Sequence, residues 1–315
     1  MTLSKIRNMF SNSENLRIGY IGLGKMGLNM TKNAIDHGHE VVATDINEDA
    51  VEEASEYGAE PAHSVEEVVE KLGTDQRIIW MMVPHGDPVD QTVDKLKDYL
   101  DEGDIVIDGG NSHYEETERR SQELLEEGIH FFDIGVSGGP DGARNGACMM
   151  AGGPKSQWNR IEPLVKDLCV EDGYGYFGST PNGHFVKMVH NGIEYGMMQA
   201  IAEGFDVMQK SNKEIDLEKT AKVYNNGAVI ESSLIEWLKE GYGEFGEGLD
   251  EASGRANESG EGRWTTEAAD ELDVPTDVIT DALDARLRSQ ENPSYQGQII
   301  TLLRHKFGNH SLDGA

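Results

Sequence analysis

A glycine-rich turn near the N-terminus does most to limit the folds open to this chain. An apolar run over 16–21 leads into Gly22, Gly24 and Gly27, and an amphipathic segment over 26–37 follows. In a strand–turn–helix unit, Gly22 permits the tight turn, Gly24 lets the backbone approach a pyrophosphate, and Gly27 lets the helix pack closely. The free N–H groups at the start of the helix also favour an anion there. The motif therefore predicts a doubly wound α/β domain that binds a dinucleotide.

An acidic residue after the second predicted strand bears on which dinucleotide is bound. The strand over 40–44 ends at Asp45, 18 residues after Gly27. A carboxylate at this position accepts hydrogen bonds from both ribose hydroxyls and repels a 2′-phosphate, which favours NAD over NADP. Capping of the next helix, over 47–57, is the alternative interpretation of Asp45.

Strands and helices go on alternating as far as about residue 177. The run 77–83 lacks polar alternation, as expected for a strand of a parallel sheet that is buried on both faces. Three strands end in loops at 84–88, 108–112 and 135–140, and the carboxyl ends of strands in such sheets face the ligand. The predicted cofactor-binding residues are Gly22, Leu23, Gly24, Lys25, Met26, Gly27, Asp45, Val83, Pro84 and Asn111.

The character of the sequence changes after the segment 178–183, which is rich in residues that interrupt regular structure. Only helices are predicted beyond it, and 315 residues suffice for about two domains. We therefore expect an α/β fold with an N-terminal Rossmann-like doubly wound sheet, followed by an all-helical C-terminal domain. The expected limits are a leader over 1–15, the NAD-binding domain over 16–180 and a helical substrate and dimerisation domain over 181–315.

One long predicted helix, over 184–210, carries polar residues on a single face. Lys187, His190, Asn191 and Glu194 are spaced i, i+3, i+4 and i+7. Its other faces are mainly apolar, which predicts that the helix is buried. Burying the polar face is costly unless its groups pair or bind a ligand. Two interpretations follow: an internal salt bridge from Lys187 to Glu194 or His190, or an active-site face with a base and an acid.

The charge balance of the chain argues against two classes of partner. It has 27 basic and 58 acidic residues, a formal net charge of −31, which disfavours nucleic acid and anionic membranes. The acids are spread at helical spacing, which indicates adaptation to a salt-rich cytoplasm, a halophilic character. Neither a membrane span nor a secretory signal is recognisable, so a cytoplasmic protein is expected. Cys148 and Cys169 lack metal-ligand spacing; both are expected to be small buried hydrophobes, and no metal is expected.

Taken together, these motifs resemble those of 6-phosphogluconate dehydrogenase, in the β-hydroxyacid dehydrogenase superfamily. The resemblance spans nearly the whole chain and fits a short type that lacks a second set of C-terminal helices. It implies oxidative decarboxylation of 6-phosphogluconate to ribulose 5-phosphate and carbon dioxide, with reduction of NAD, in gluconate utilization and the pentose phosphate pathway. The five segments that carry it are GLGKMG at 22–27, IDGGNSHYEETERR at 107–120, GVSGGPDGARNG at 135–146, KMVHNGIEYGMMQ at 187–199 and RHKFGNH at 304–310.

The resemblance also implies roles for individual residues. Lys187 would be the general base at the C3 hydroxyl and Glu194 the acid that protonates C1. Ser137, Gly138 and Gly139 would hold the carboxylate, and Tyr195 would contact the phosphate. In longer relatives the arginine and histidine of the tail come from a neighbouring subunit, which implies a homodimer or tetramer. The implied substrate-binding residues are Asn111, Ser137, Gly138, Gly139, His190, Asn191, Tyr195, Arg304 and His310.

This chain departs from the family pattern at the phosphate end. Ser259 and Glu261 stand where a phosphate-binding lysine and threonine are usual, and Glu231 stands where an arginine is usual. Which basic residues compensate stays open at this point. The candidates are Arg255, Arg263, Arg286 and Arg288.

Two alternative functions share some of these motifs. A non-decarboxylating 3-hydroxyacid dehydrogenase, of the 3-hydroxyisobutyrate or tartronate semialdehyde type, shares the glycine turn, the Ser-Gly-Gly loop and the lysine–asparagine pair. His190, Glu194 and Tyr195 argue against it, because a decarboxylating reaction needs the additional acid. A non-catalytic NAD-sensing module is expected to have lost the lysine–asparagine pair, which is complete here.

Overall fold

The computed structural model describes residues 15–74 and 76–314 of the chain. All but the last residue of the predicted leader, 1–15, lie outside the described residues. The chain divides into two compact units between Lys187 and Met188. The division falls inside a helix, and the predicted domain limits of 16–180 and 181–315 stay a prediction.

The first unit is built on one sheet of eight described strands. Their order is β3-β2-β1-β4-β5-β6-β7-β8. Neighbouring strands are parallel except for β6 and β7, which are antiparallel. This arrangement confirms the predicted Rossmann-like doubly wound sheet. The strands are β1 (Arg17–Ile21), β2 (Glu40–Thr44), β3 (Glu60–Pro61), β4 (Ile78–Met81), β5 (Ile105–Asp108), β6 (His130–Ser137), β7 (Ala147–Gly152) and β8 (Cys169–Tyr176).

Both faces of the sheet are covered. In β4, Ile78 and Trp80 join one buried apolar cluster, whereas Ile79 and Met81 join another. Successive side chains of a strand point to opposite faces, so the two clusters lie on the two sides of the sheet. The continuous apolar sequence of this strand is thus explained by burial on both faces.

Seven α-helices in the described part of the first unit connect these strands or follow them. One was not predicted: α6 begins at Gly139, where a loop over 135–140 was expected, and Pro140 lies in its first turn. Proline is well tolerated there because its missing N–H would have no partner within the helix. The helices are α1 (Lys25–Asp36), α2 (Glu48–Tyr57), α3 (Val65–Leu72), α4 (Asp87–Lys97), α5 (Tyr114–Glu126), α6 (Gly139–Asn145) and α7 (Trp158–Asp167).

The helix α8 (Asn182–Gln209) begins in the first unit and continues into the second, which is helical throughout its regular structure. This confirms the predicted all-helical C-terminal part. Side chains from α8 and from the later helices form one apolar core, which includes Met198, Phe205, Leu238 and Leu302. The later helices are α9 (Leu217–Tyr224), α10 (Ser233–Phe245), α11 (Glu261–Glu271), α12 (Asp277–Glu291) and α13 (Tyr295–Gly308).

One face of α8 is exposed, so the prediction of a wholly buried helix is wrong. Ile193, Met197 and Val207 are 53%, 44% and 72% exposed, and Ala200 and Gly204 between them are exposed as well. We call these five residues the outer stripe. Hydrophobic periodicity identifies apolar faces, but it does not tell which of them the same chain covers.

The two cysteines differ from each other. Cys169 is partly buried, and burial raises the pKa of its thiol to about 12. Cys148 is exposed, which corrects the expectation that both are buried. In the described part of the chain, no helix is both long enough and apolar enough to cross a membrane.

Candidate active site

The glycine turn between β1 and α1 has the geometry that the sequence predicts. Gly22 has a φ of +99°, and a β-carbon there would lie 2.3 Å from the Met82 carbonyl oxygen. A β-carbon on Gly27 would lie 2.0 Å from the Gly22 carbonyl oxygen, whereas one on Gly24 would meet nothing within 4 Å. Only glycine fits the first two positions, and open space borders the third at the start of α1, as a pyrophosphate requires. Of the residues between the glycines, Leu23 is buried, Lys25 is exposed and Met26 is half-buried.

Asp45 is held beside this turn. Its Oδ2 accepts a hydrogen bond from the Leu23 N–H at 2.5 Å, and its Oδ1 accepts one from the Asn47 N–H at 2.8 Å. Asn47 is the residue that caps α2, because its side chain accepts from the Asp49 N–H. The alternative interpretation of Asp45 as the helix cap is therefore wrong. The carboxylate lies at the carboxyl end of β2 next to the turn, which fits a ribose of a dinucleotide.

The ends of β4 and β5 lie next to the same turn. Val83 Cγ1 would be 3.2 Å from a β-carbon on Gly22, and the Val83 carbonyl oxygen 3.1 Å from one on Gly110. The side chain of Asp108 is fully buried and accepts from the Gly110 N–H at 3.0 Å and from the Ser112 hydroxyl at 2.7 Å. These bonds shape the loop that presents Asn111, which is exposed. Pro84, which follows Val83, is exposed.

A buried polar network that was not predicted fixes the start of α8 to the sheet. The His184 N–H donates to Asp133 Oδ2 at 2.8 Å, and its Nε2 donates to the Asp108 carbonyl at 3.1 Å. Its Nδ1 lies 2.8 Å from the Thr117 hydroxyl oxygen. Burial raises the pKa of the Asp133 carboxyl group. The sequence could have identified His184, because it precedes Lys187 by three residues and that spacing puts both side chains on one face of a helix.

Lys187 packs directly against β6. Its side chain is buried, and a β-carbon on Gly135 would lie 2.2 Å from Lys187 Cβ. Gly135 precedes Ser137, the last residue of β6, by two positions. The turn that follows has positive φ at Gly138 (+120°) and Gly139 (+61°), a conformation that favours glycine. The first unit thus brings the predicted base next to the predicted Ser-Gly-Gly carboxylate site.

In the second unit, α8 continues with the other predicted polar residues. His190 Nδ1 lies 2.9 Å from Asn191 Oδ1 and 3.9 Å from Glu194 Oε2. Asn191 is buried, whereas the His190 and Glu194 side chains are partly exposed. This unit therefore contains a weak contact between His190 and Glu194, which is neither of the two Lys187 pairs of the salt-bridge interpretation.

Tyr195, the next residue, is the centre of a buried cationic cluster. Arg286 Cζ lies 3.3 Å from the centroid of the Tyr195 ring, and the Ser259 N–H donates to Tyr195 Oη at 3.1 Å. Arg304 Nη2 donates to Ser259 Oγ at 3.5 Å. Both arginines are more than nine-tenths buried. Burial, with a smaller contribution from Arg304, lowers the pKa of Arg286 to about 10, and burial also lowers the pKa of Arg304.

The other residues considered for the phosphate end lie in different surroundings. Arg255 donates to the Gln290 carbonyl, Arg263 pairs with Glu258 at 2.7 Å, and Arg288 is exposed. The Glu231 carboxylate accepts from the Gly227 N–H in the loop before α10. His310 lies in the turn after α13, where its ring packs against Phe307. Arg286 is the one of the four candidate arginines that lies in the Tyr195 cluster. Ser259 and Glu261 belong to the segment beside this cluster.

The side chains of the Tyr195 cluster are those of an anion-binding site. The glycine turn and Asp45 of the first unit are features of a dinucleotide-binding site. Buried guanidinium groups and a tyrosine hydroxyl suit a phosphate or carboxylate. Among residues 15–74 and 76–314, no three or more His, Cys, Asp or Glu side chains are grouped to hold a metal ion.

Comparison with known proteins agrees with this division of the chain. Residues 17–174 match the NAD binding domain of 6-phosphogluconate dehydrogenase, and residues 183–305 match the C-terminal domain of 6-phosphogluconate dehydrogenase. The Bacillus subtilis (strain 168) protein YqeC, provisionally named a 6-phosphogluconate dehydrogenase, is 45% identical over 298 residues, covering 95% of this chain and 99% of its own length.

Two further relatives extend the comparison. The NAD(+)-dependent, decarboxylating 6-phosphogluconate dehydrogenase of Haloferax volcanii is 42% identical over 298 residues, covering 94% of this chain and 98% of its own length. The solved structure of Plasmodium falciparum 6-phosphogluconate dehydrogenase, studied with NADP+ and with its substrate, superposes with a TM-score of 0.78 at 29% identity, over 92% of this chain and 70% of that chain. The chain belongs to the 6-phosphogluconate dehydrogenase family.

Proposed function

We propose that the chain catalyses the oxidative decarboxylation of 6-phosphogluconate to ribulose 5-phosphate and carbon dioxide, with NAD as the hydride acceptor. The observation that carries this proposal is the buried Lys187, packed against Gly135 two residues from the Ser137–Gly139 turn. A buried lysine whose side chain begins beside a strand residue two positions before such a glycine turn is suited to accept a proton from a substrate whose carboxylate binds at that turn. The names of the Bacillus and Haloferax relatives support the same reaction.

The residues of the first unit fit the cofactor. Bound NAD supplies the acceptor for the hydride of C3. The α1 N-terminus at Gly24 and the backbone from Gly22 to Gly27 would hold its pyrophosphate. Asp45 would accept hydrogen bonds from the adenosine ribose, and Val83, Pro84 and Asn111 would border the nicotinamide side.

The proposed chemistry assigns a proton transfer to each of two side chains of α8. Lys187 accepts the proton of the C3 hydroxyl as the C3 hydrogen leaves with its electron pair. The 3-keto acid then loses carbon dioxide as the C1–C2 bond breaks, and that electron pair, with the proton that Lys187 returns to the C3 oxygen, gives an enediol. Glu194 gives a proton to the carbon that carried the carboxylate, which becomes C1 of the product, while Lys187 takes back the enediol O–H proton and the ketone forms. Ser137, Gly138 and Gly139 hold the carboxylate, while His190 and Asn191 orient the hydroxyls.

The Tyr195 cluster is the proposed phosphate site. Arg286 and Arg304 supply two guanidinium groups and Tyr195 supplies a hydroxyl. His310 is assigned to this end by the family pattern alone. Arg304 lies beside Ser259 of the same chain, so this arginine does not have to come from a second subunit.

The assay that tests the proposed function follows reduced cofactor and carbon dioxide together, with NAD and NADP in parallel, in molar potassium chloride. We expect NADH and carbon dioxide in equal amounts. The kcat/KM for NADP should be at least about 100-fold lower, since a like charge beside the 2′-phosphate costs several kcal/mol. Activity with NADP alone would contradict the role given to Asp45. Inactivity with both would point to unphosphorylated 3-hydroxyacids.

We also propose that the protein works in a salt-rich cytoplasm. The formal net charge of −31 produces self-repulsion that concentrated salt screens. A fold that is unchanged at low ionic strength would contradict this.

We further propose that the chain assembles as a homodimer, or as a tetramer of such dimers, through the outer stripe of α8. Its residues follow one another at intervals of four, three, four and three, the spacing of helices that pack along their length. Val278, 70% exposed, extends the stripe, because its Cγ1 would be 3.3 Å from a β-carbon on Gly196. A second copy fits best, since the stripe is uncharged and two-fold symmetry pairs it with itself.

Replacement of Met197 by glutamate is expected to raise the dimer dissociation constant by at least about 100-fold, because an unpaired carboxylate would be buried. Light scattering should give the mass of two or four chains for the wild type and of one chain for Met197→Glu. Val229→Glu is the matched control, because Val229 is fully exposed in the loop before α10. A monomeric wild type, or an unchanged mass for Met197→Glu, would contradict the stripe as the interface.

A further inference from the structure

A buried carboxylate belongs to the segment that contacts Tyr195. Glu261 is the first residue of α11 and is 6% exposed. Residues on both sides of it contact Tyr195: the Ser259 N–H, two residues before, donates to the tyrosine hydroxyl, and a β-carbon on Gly262, the next residue, would lie 2.5 Å from the ring. The segment 259–262 therefore wraps around Tyr195, and Glu261 lies within that segment.

The Tyr195 cluster and the segment around it contain charges of both signs. Arg286 packs on the Tyr195 ring, and Arg304 bonds to Ser259, so both guanidinium groups lie close to the segment that carries Glu261. Burial lowers the pKa of both arginines, and Arg304 lowers that of Arg286 further, whereas the charge of Glu261 raises the pKa of both. Glu194 also acts on both, but its side chain is 23% exposed. Glu261 is thus the more deeply buried of the two counter-charges.

We propose that Glu261 is an internal counter-ion of Arg286 and Arg304, which competes with the substrate's phosphate group and so sets the affinity of this site for phosphate esters. The inference rests on the proposed function and extends it. Without a ligand, the carboxylate offsets the repulsion between the two guanidinium groups. With a phosphate bound, the same carboxylate is a like charge at short range, and it weakens binding. Glu261 is therefore a specificity-determining residue of the phosphate end.

The experiment compares the wild type with Glu261→Gln, which keeps the side-chain shape and removes the charge. Calorimetry measures the dissociation constants of 6-phosphogluconate, gluconate and inorganic phosphate. We expect Glu261→Gln to bind 6-phosphogluconate and inorganic phosphate at least about ten-fold more tightly, because one like charge within about 12 Å has at least that effect at an effective dielectric of about 20. Gluconate affinity should stay unchanged, because gluconate lacks the phosphate.

Glu267→Gln is the matched control, because Glu267 is exposed on the same helix, and its affinities should equal those of the wild type. If Glu261→Gln does not fold, Glu261→Thr provides the same test with another neutral side chain. Unchanged or weaker binding of both phosphate ligands by the neutral variants overturns the role of Glu261. A wild type that neither binds nor oxidises 6-phosphogluconate would instead overturn the proposed function.

Discussion

Replacement of Lys187 by methionine is expected to lower kcat with 6-phosphogluconate by about 10²- to 10⁴-fold, the range that a positioned acid–base group contributes. Methionine is unbranched and apolar, so it suits a position that is 7% exposed, but it cannot accept the C3 hydroxyl proton. Steady-state rates of NADH formation measure the effect. NADH binding, followed by fluorescence, should persist, because Lys187 is not among the residues proposed to hold the nucleotide.

The matched control is Lys210→Met, one residue beyond the end of α8. The Lys210 side chain is 67% exposed and pairs with Asp206 at 2.9 Å, so its loss should leave turnover near the wild-type value. A Lys187→Met variant that keeps more than about a tenth of wild-type turnover would remove Lys187 from the base role, since even the lower end of the expected range is 100-fold.

The position of Lys187 shows how far sequence reasoning reaches. Helical spacing placed Lys187 on one face with His190 and Asn191, and the helix α8 exists as predicted. The contact with Gly135 was not predictable, because it joins a strand and a helix that are distant in sequence. The hydrogen bond from His184 to Asp133, which fixes the start of α8, was not predictable for the same reason.

The class of the fold was predictable for a simpler reason. An apolar strand without polar alternation, such as β4, can bury all of its side chains only in a sheet covered on both faces, and the glycine turn requires a strand before it and a helix after it. The helix α6 was missed because Gly138, Gly139 and Pro140 are residues of loops as well as of helix starts. Local sequence preferences do not separate these two cases.

Exposure was the least predictable property. The outer stripe of α8 and Cys148 consist of apolar residues, which are usually buried, but they are exposed here. Whether such a residue is buried depends on which elements pack against it, which a single sequence does not contain. The same limit explains the phosphate end, where four arginines were equal candidates and only tertiary packing distinguishes Arg286.

Replacement of Arg286 by methionine is expected to lower kcat/KM for 6-phosphogluconate by about 30- to 4,000-fold. Removing one partner of a buried charge pair costs about 2–5 kcal/mol, and each 1.4 kcal/mol is a factor of ten. The phosphate would lose a guanidinium group that the Tyr195 ring holds in place. Since that loss is confined to the phosphate end, kcat/KM for unphosphorylated gluconate should change little. Steady-state kinetics with both substrates measures the ratio.

Two further variants separate charge from packing in this effect. Arg286→Lys keeps the charge but loses the planar group that stacks on Tyr195, so an intermediate decrease is expected. Arg288→Met is the matched control, because Arg288 is exposed two residues further along α12. An equal loss with both substrates would mean that Arg286 maintains the fold of the second unit instead of binding phosphate. No loss with either would mean that the phosphate binds elsewhere, because a buried guanidinium group in contact with a phosphate cannot be removed without weakening binding.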